Sequence, residues 1–241
     1  FLTRSPGWIK LLAKRLSEYL GDFGWRLKSR RDRRCSMGNA LIGPLRLSLK
    51  DRNIPLWLNT PARQLIVENG RVAGVQGERD GKKYCIRAER GVLLASGGFD
   101  NNAQLRERYL PHPTHPDWSC GNPCSTGDAV QMGLDVGAGL EFMDEAWWGP
   151  TVVVPGEQRA RMLVIEKSLP GGVLVNKHGK RFVKETAAYN DIVKAMYANH
   201  SDATPCIPAY LVFDANFRRK YPAGPLLPGG QQPDWLVKGD I

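Results

Sequence analysis

The 241-residue sequence contains no long apolar run and no leader-like segment. A membrane-spanning helix needs about 20 mostly apolar residues, and a secretory leader combines a basic start, a short apolar core and small residues. Neither pattern occurs, so the sequence predicts a cytoplasmic protein. The odd number and irregular spacing of the cysteines are not typical of a disulfide framework. We expect reduced thiols at Cys35, Cys85, Cys120, Cys124 and Cys206.

Two glycine motifs that bind phosphate groups are also missing. The sequence has neither the G-x-G-x-x-G turn of dinucleotide-binding folds nor the G-x-x-x-x-G-K-S/T loop of many nucleotide-binding proteins. It begins at Phe1 rather than at a methionine, and it stops at the segment VKGDI without a polar tail. We therefore expect a piece of a longer protein, in which such a motif lies elsewhere.

Positive charge is abundant but confined to one region. The formal net charge is +10, yet residues 1–52 hold 13 Lys and Arg against 4 Asp and Glu, which leaves 21 against 20 in the remainder. The excess centres on RLKSRRDRR, which follows a helical apolar spacing in WIKLLAKRLSEYL. This pattern favours a solvated face beside a helix that packs on a core. The alternative is a module that binds nucleic acid or an anionic membrane through residues 26–34, and the absence of interleaved aromatic residues weakens the nucleic-acid version.

Residues 53–98 have the pattern of a β-meander. Short apolar alternations at 65–67, 72–75 and 84–87 are separated by Asn-Gly and Asp-Gly pairs, which are typical of tight hairpin turns. The uninterrupted apolar segment GVLLA at 91–95 predicts a strand buried on both faces. Gly97 and Gly98 follow it, and a glycine pair at the carboxyl end of a buried strand lets the backbone approach a ligand closely.

The remainder alternates capped helices, loops and short apolar strands. Asn102 is predicted to cap a helix that runs to Leu110, and Thr126 to cap a second helix that runs to about Val136. From Gly149 the chain is rich in proline and glycine, which is typical of a loop-rich lid. Two apolar strands, GGVLVN and PAYLVFD, are expected around one polar helix.

Four segments, in this order, resemble one flavoprotein family: GVLLASGGFDNN, STGDAVQMGLDVGAGLEFMDEAWWGPT, GGVLVNKHGKRFVKETAAY and IPAYLVFDANFRRKYPAGPLLPG. The family is that of fumarate reductase and succinate dehydrogenase, and the similarity over about residues 35–241 is greatest to its 3-ketosteroid dehydrogenase branch. The resemblance implies a mixed α/β and α+β fold. Residues 1–102 would form part of a glutathione-reductase-type FAD-binding domain, and residues 103–241 most of an α+β catalytic lid domain.

The resemblance also implies FAD as the cofactor and assigns three segments to it. Residues 61–62 would lie near the adenine, residues 95–98 would pass the cofactor by their backbone, and residues 126–128 would lie against the flavin. The amino terminus of a helix suits the third role, because its free N–H groups and positive potential favour an anionic cofactor. The expected cofactor-binding residues are Pro61, Ala62, Ala95, Ser96, Gly97, Gly98, Thr126, Gly127 and Asp128.

The chain departs from fumarate-reducing members wherever they hold a dicarboxylate. Their His-Pro-Thr, Thr-Glu and Thr-Thr-Arg-Asp segments correspond here to Gly149-Pro150-Thr151, Ile165-Glu166 and Ala187-Ala188-Tyr189-Asn190. Burying a carboxylate without a charged partner costs several kcal/mol, so the pocket is expected to prefer a neutral, apolar substrate. Its expected walls are Trp147, Trp148, Gly149, Ile165 and Leu227.

Tyr189 takes the position of the proton-delivering arginine, and it is the expected catalytic base. Removing a proton beside a ketone while a hydride leaves for the flavin needs a base that tolerates an apolar pocket, and a tyrosinate meets that need. The resemblance therefore implies FAD-dependent dehydrogenation of a 3-ketosteroid-like substrate, with an electron acceptor that the sequence does not indicate. Three alternatives remain: Tyr189 packs the lid, the substrate is another neutral ketone or enone, or the chain is a basic binding module.

Four residues have a loose zinc-like spacing: His112, His115, Cys120 and Cys124. The matching region of the family is a variable connector, so no metal is expected. His178 is interpreted as an exposed turn residue, and Arg181 and Glu185 as an ion pair at a helix start.

Overall fold

The computed structural model describes residues 6–239. These residues divide into two units. The first unit comprises the described residues up to Ala62 together with Gly77–Tyr84, and the second comprises Arg63–Gln76 and the residues from Cys85 onward. The expected domain division after residue 102 stays a prediction. No helix within residues 6–239 has the length and apolar content needed to cross a membrane.

Three helices precede the first strand: α1 Trp8–Gly21, α2 Phe23–Arg26 and α3 Gly38–Asp51. The helix predicted from the apolar spacing is confirmed as α1. The prediction that α1 packs on a core is wrong, because no residue of these three helices is buried in the described structure. Ile9, Leu16 and Leu20 of α1 are all exposed. The described residues supply no apolar surface to cover this face, so its amphipathic pattern is not matched by burial.

The basic segment 26–34 folds back on the first two helices through ion pairs. Arg33 donates to both carboxylate oxygens of Asp22, at 2.5 and 2.8 Å. Arg34 pairs with Glu18 at 2.5 Å. Two cations of this segment therefore already have carboxylate partners within the chain.

A three-stranded sheet of order β1-β2-β3 contains β1 Ala62–Glu68, β2 Arg71–Arg79 and β3 Lys82–Arg87. Its turns are the pairs Asn69-Gly70 and Asp80-Gly81, whose four φ angles lie between 51° and 74°. Two-residue hairpin turns with positive φ at both positions match the right-handed twist of the strands. The predicted β-meander is confirmed, and each strand is longer than its apolar alternation.

Residues 91–95 do not form the buried strand that their apolar sequence predicts. This segment is irregular and pairs with no strand in the described part of the chain, and Leu93 is 90% exposed. A strand buried on both faces needs paired neighbours and a layer of structure on each side. The described residues supply neither, so the apolar run alone does not decide its structure.

The second unit begins its helices with α4 Ala103–Tyr109 and α5 Asp128–Asp135. The predicted cap of α4 is confirmed, because the side chain of Asn102 accepts a hydrogen bond from the N–H of Leu105 at 3.0 Å. The predicted cap of α5 is wrong by one residue, since the helix starts after Gly127. Thr126 instead donates its hydroxyl to the carboxylate of Asp128 at 2.8 Å.

The rest of the second unit is built from short strands, two helices and two helical turns. Strand β6 (Gly172–Val175) pairs with β7 (Tyr210–Phe213) in an antiparallel ladder that places Leu174 opposite Leu211. The two strands flank one helix in the chain, as predicted, and the least exposed side chains are Ile192, Cys206 and Phe217. The elements are β4 Thr151–Val152, β5 Arg161–Met162, β6 Gly172–Val175, α6 Tyr189–Ala198, β7 Tyr210–Phe213, α7 Ala215–Lys220 and the turns Pro116–Trp118 and Glu166–Ser168.

Candidate active site

Tyr189 is the first residue of α6, and its side chain is half-buried. The helix is anchored by Ile192 and Val193, which are buried. The phenolic oxygen of Tyr189 accepts a hydrogen bond from the indole N–H of Trp147 at 2.8 Å. The structure therefore brings the expected base into direct contact with one expected pocket residue, while the catalytic role itself stays a prediction.

The loop that carries Trp147 is fastened to α6 on both sides of that residue. Lys194 of α6 donates to the carboxylate of Glu145 at 2.9 Å, and this hydrogen bond lowers the pKa of Glu145. Trp148 is buried in a cluster with Val193 of α6. Trp147 itself is exposed. Its neighbours, rather than its own burial, therefore hold its indole near Tyr189.

The sequence did not predict one lysine that contacts the segment preceding Tyr189. Lys167 lies in the turn Glu166–Ser168, is buried, and donates to the main-chain carbonyls of Glu185 and Ala187. No sequence pattern signals this contact, because a lysine in a loop is ordinarily solvated. The predicted ion pair of Arg181 with Glu185 is confirmed, with N–O distances of 2.6 and 3.0 Å, although it precedes α6 in the chain.

The other expected pocket residues lie in separate segments. Trp148 faces the core, whereas Ile165 is exposed and Gly149 is half-buried. A Cβ atom on Gly149 would lie 2.5 Å from Cε of Met162, so a larger side chain there would displace that methionine. Substrate contact by these residues stays a prediction.

Leu227, the remaining expected pocket residue, lies on a loop that α7 holds in place. The guanidinium of Arg218 donates to the carbonyl of Leu227 and, at 2.7 Å, to that of Gly230. The exposed side chain of Leu227 lines a shallow groove with the mostly apolar residues Val154, Pro225, Leu226, Pro233 and Trp235. An apolar lining of this kind suits a neutral ligand.

Two of the three expected cofactor segments meet at one hydrogen bond. The N–H of Gly127 donates to the carbonyl of Gly98 at 3.0 Å. The side chain of Asn102 braces the same contact by donating to the carbonyl of Thr126 at 2.9 Å. Residues Ala95 to Gly98 therefore lie beside the turn from Thr126 to Asp128, as a shared cofactor role requires.

These two segments present backbone rather than side chains to their surroundings. Residues 95–98 are exposed, and within residues 6–239 the N–H groups of Ser96, Gly97 and Gly98 have no hydrogen-bond acceptor. The first turn of α5 adds further N–H groups that a helix leaves unpaired. Free N–H groups without side chains in front of them favour a close-lying anionic group. The residues present therefore fit FAD.

The third expected cofactor segment lies at the start of the sheet. Pro61 accepts a hydrogen bond from the N–H of Glu78 at 3.1 Å, and Ala62 is the first residue of β1. Their expected place near the adenine stays a prediction.

The four residues with zinc-like spacing do not converge. His112 and His115 each lie beside a carboxylate of their own, 3.6 and 3.5 Å away, while Cys120 and Cys124 are exposed free thiols. In the part of the chain that the structure describes, no group of three or more His, Cys, Asp and Glu side chains could hold a metal. His178 lies in an exposed turn, as interpreted from the sequence.

Comparison with known proteins adds independent observations. The profile of the FAD binding domain family matches residues 19–223. The 3-oxosteroid 1-dehydrogenase of Mycobacterium tuberculosis strain H37Rv is 40% identical over 215 residues, which are 85% of this chain and 38% of that protein. The 3-oxosteroid 1-dehydrogenase of Comamonas testosteroni is 35% identical over 227 residues, which are 92% of this chain and 39% of that protein.

A solved structure is similar over nearly the whole chain. It is the crystal structure of 3-ketosteroid Δ1-dehydrogenase from Sterolibacterium denitrificans in complex with 1,4-androstadiene-3,17-dione, with a TM-score of 0.90 and 45% identity. The match covers 98% of this chain and 43% of that one. It confirms the predicted mixed fold class and the resemblance to the 3-ketosteroid dehydrogenase branch.

The chain thus spans about two fifths of the length of the relatives that it matches. The family profile nevertheless covers most of this chain. The backbone N–H groups of residues 96–98 fit the cofactor that the family binds. The chain therefore belongs to the FAD binding domain family, and its cofactor is FAD.

Proposed function

We propose that the protein containing this chain is an FAD-dependent dehydrogenase that introduces a C=C double bond beside the ketone of a 3-ketosteroid. Two adjacent substrate carbons lose one hydride and one proton, and the electron pair left by the proton forms the new bond. Bound FAD supplies the hydride acceptor. Tyr189 takes the proton from the carbon next to the carbonyl group.

The hydrogen bond from Trp147 to Tyr189 is the observation that carries the proposal. An N–H group that donates to a phenolic oxygen stabilises negative charge on that oxygen. It also leaves the hydroxyl proton of the phenol free to depart. A tyrosine that only packed the lid would not need this donor. The arrangement therefore favours a tyrosine that works as a base.

The other expected pocket residues support a neutral substrate. Gly149 and Ile165 stand where dicarboxylate-binding members of the family have polar anchors, and Leu227 lines a mostly apolar groove. The relatives with 40% and 35% identity are both 3-oxosteroid 1-dehydrogenases. A 3-ketosteroid combines the required ketone with an apolar ring system.

Substrate selectivity tests the proposal in the complete protein that carries this chain. Purified holoenzyme is assayed with a dye acceptor on a 3-ketosteroid, a small neutral cyclic ketone, succinate and, in the reducing direction, fumarate. We expect kcat/KM for the steroid to exceed that for either dicarboxylate by at least about 100-fold, because the missing anchors leave a dianion unpaired. A preference for the small ketone would support the other neutral substrate class, and fumarate reduction at a comparable rate would overturn the proposal.

We also propose that the first unit of this protein, in the cytoplasm, contacts an anionic membrane surface through residues 26–34. The exposed apolar side chains of α1, among them Ile9 and Leu16, belong to the same unit as this basic segment. An amphipathic helix with adjacent cations is typical of interfacial binding, whereas an apolar face contributes nothing to phosphate binding by nucleic acid. An apolar substrate also partitions into membranes, which gives such contact a use.

Vesicle co-sedimentation tests the membrane contact. Arg30 and Arg31 have no carboxylate partner among the described residues. Their joint change to Glu is expected to abolish binding to phosphatidylserine vesicles, while Lys82→Glu with Lys83→Glu, exposed in the same unit, should retain it. Binding that is equal with and without phosphatidylserine, or retained binding by the arginine variant, would contradict the proposal. Tighter binding to DNA than to vesicles would favour the nucleic-acid alternative.

A further inference from the structure

Lys167 is a buried cation that the proposed reaction does not use. The residue is 2% exposed. Its ammonium group donates to the hydroxyl of Ser168 at 3.1 Å, to the carbonyl of Glu185 at 3.1 Å and to the carbonyl of Ala187 at 2.9 Å. An ammonium has three N–H donors, so these contacts use all of them. Within residues 6–239 no carboxylate pairs with this amine, and burial lowers the pKa of Lys167.

The main chain at Glu185 is held from two sides. Its carbonyl accepts hydrogen bonds from Lys167 and, at 2.9 Å, from the hydroxyl of Ser168. Its carboxylate accepts the N–H of Leu174 in β6 at 2.9 Å and also pairs with Arg181. Together these bonds fix the segment before α6 relative to β6 and to the turn Glu166–Ser168.

The second carbonyl that Lys167 binds lies two residues before Tyr189. Helix α6 begins at Tyr189, and the N–H of Ile192 donates to the carbonyl of Ala188 at 3.1 Å to close its first turn. A charge-assisted hydrogen bond at Ala187 therefore acts directly on the chain that enters the helix. Lys167 also follows Ile165 by two positions, so one ammonium joins an expected pocket segment to the base segment.

We propose that Lys167 is a positioning residue for Tyr189, because its bonds to the carbonyls of Glu185 and Ala187 set the start of α6 and hence the place of the phenolic oxygen. This inference rests on the proposed function, in which that oxygen accepts the substrate proton. Lys167 touches neither substrate nor flavin in this role. Its effect passes through the main chain to the backbone of Tyr189. The phenolic oxygen, at the far end of the same residue, accepts the hydrogen bond from Trp147.

The first test compares two lysine substitutions in the complete, flavin-loaded protein. Lys167→Met keeps the length of the side chain and removes the three donors. Lys184→Met makes the same change at an exposed lysine of the same segment whose amine has no partner in the described structure. We expect Lys167→Met to lower kcat by about 10- to 100-fold, as displacement of a reacting group does, with KM changed less than about threefold. The control should keep both constants and the flavin content.

A double-mutant cycle with Tyr189→Phe separates positioning from a general structural role. If Lys167 acts through the phenolic oxygen, Lys167→Met should lower kcat by less than about twofold once that oxygen is gone. Losses that multiply in the double variant would overturn the proposal. If Tyr189→Phe alone keeps its activity, the proposed base and its positioning residue are both refuted, whereas an inactive Tyr189→Phe with multiplying losses refutes only the positioning role.

Ser168→Ala keeps the proposal testable if Lys167→Met fails to fold. The change removes one partner of Lys167 and one donor to the Glu185 carbonyl, and it leaves the ammonium bond to Ala187 in place. We expect a smaller loss of kcat, about two- to tenfold, that again vanishes in the Tyr189→Phe background. A Ser168→Ala protein with full kcat, or with a loss that persists without the phenolic oxygen, would contradict the proposal.

Discussion

The indole nitrogen of Trp147 and the phenolic oxygen of Tyr189 lie 2.8 Å apart, although 42 positions separate the two residues in the chain. The two residues lie in different elements: Trp147 in the loop before β4, and Tyr189 in the first turn of α6. The bond from Lys194 to Glu145 joins these elements beside the pair. The geometry of the candidate base therefore depends on packing between two segments and not on either alone.

Trp147→Phe in the complete protein should lower kcat by about tenfold while FAD remains bound. The phenylalanine ring keeps most of the apolar area, but the N–H that donates to Tyr189 is lost, and a hydrogen bond to a charged group contributes about 1.5–3 kcal/mol. Steady-state kinetics of the flavin-loaded variant and of the wild type measure this loss.

Trp57→Phe is a suitable control for the loss of an indole. Trp57 belongs to the first unit, where its ring meets that of Tyr84 edge-on at 5.8 Å. This variant should keep the kcat of the wild type. An unchanged kcat in Trp147→Phe would show that the hydrogen bond to Tyr189 has no part in catalysis.

Glu185→Gln should destabilise the protein at neutral pH more than at acid pH. Burial raises the pKa of Glu185, but hydrogen bonds from Arg181 and from the N–H of Leu174 outweigh burial and lower it. The folded state therefore favours the carboxylate, and its stabilisation is present above the unfolded-state pKa of about 4.3 and is lost as the pH falls through the lower folded-state value. We expect the variant to lower the free energy of unfolding by about 1–3 kcal/mol at pH 7.

Urea midpoints of wild type and variant between about pH 3.5 and 7 test this dependence on pH, with the lower limit set below the ordinary pKa of glutamate. Glu157→Gln is the control, because Glu157 pairs with Arg161 at 2.6 Å in an exposed setting. This substitution should leave the urea midpoint unchanged. If the difference in urea midpoint between wild type and Glu185→Gln stays constant over the whole pH range, the shape of the Glu185 side chain, and not its charge, stabilises this site.

Local patterns predict the parts of the fold that local bonds decide. The helical spacing of α1, the Asn102 cap and the two hairpin turns depend on residues a few positions apart, and all are found. Residues 91–95 and the apolar face of α1 depend on what packs against them. Their sequences predict burial that the described residues do not supply, so both expectations fail for the same physical reason.

The candidate site divides in the same way. The position of Tyr189 follows from the resemblance around the segment GKRF, because that segment aligns the chain with its family. The contact of Trp147 with Tyr189 spans 42 positions, and that of Lys167 with Ala187 spans 20. No spacing rule connects residues this far apart. These contacts become visible only when the segments are packed.

Gly127→Ala should weaken FAD binding in the complete protein. Gly127 has a φ of +87°, and a Cβ atom there would lie 2.4 Å from Cδ1 of Leu105. The end of the Leu105 side chain can rotate away, but the same Cβ atom would lie 3.0 Å from Cβ of Phe99, the residue after Gly98. We therefore expect the start of α5 to shift away from Gly98 and to disturb the arrangement of N–H groups that fits FAD. Overpacking of this kind costs about 1–3 kcal/mol, so we expect the Kd for FAD to rise about 10- to 100-fold in fluorescence titrations.

Gly137→Ala separates contact from backbone strain. Gly137 lies just beyond α5 with a φ of +79°, and no described heavy atom lies within 4 Å of a Cβ atom built there. This variant introduces a Cβ atom in the left-handed region of φ but creates no steric contact like that at Gly127. It should therefore keep its FAD affinity. Equal loss of FAD affinity in both variants would assign the effect to backbone strain around α5 rather than to the steric contact of a Cβ atom at Gly127.

Tyr189→Phe in the complete protein should keep its fold and flavin but lose most of its turnover. The ring packs as before, and the indole of exposed Trp147 can donate to water once the phenolic oxygen is gone. Loss of a general base costs about 10²–10⁴-fold in rate, or roughly 3–5 kcal/mol of barrier, whereas loss of a packing hydroxyl changes the rate only a few-fold. The loss should fall on kcat rather than KM, because proton removal is felt in the transition state. Tyr210→Phe, an exposed tyrosine of β7, should leave both constants unchanged. A Tyr189→Phe enzyme that keeps more than about a third of the wild-type kcat at every pH would show that the ring only packs the lid, and the base would then lie elsewhere in the protein.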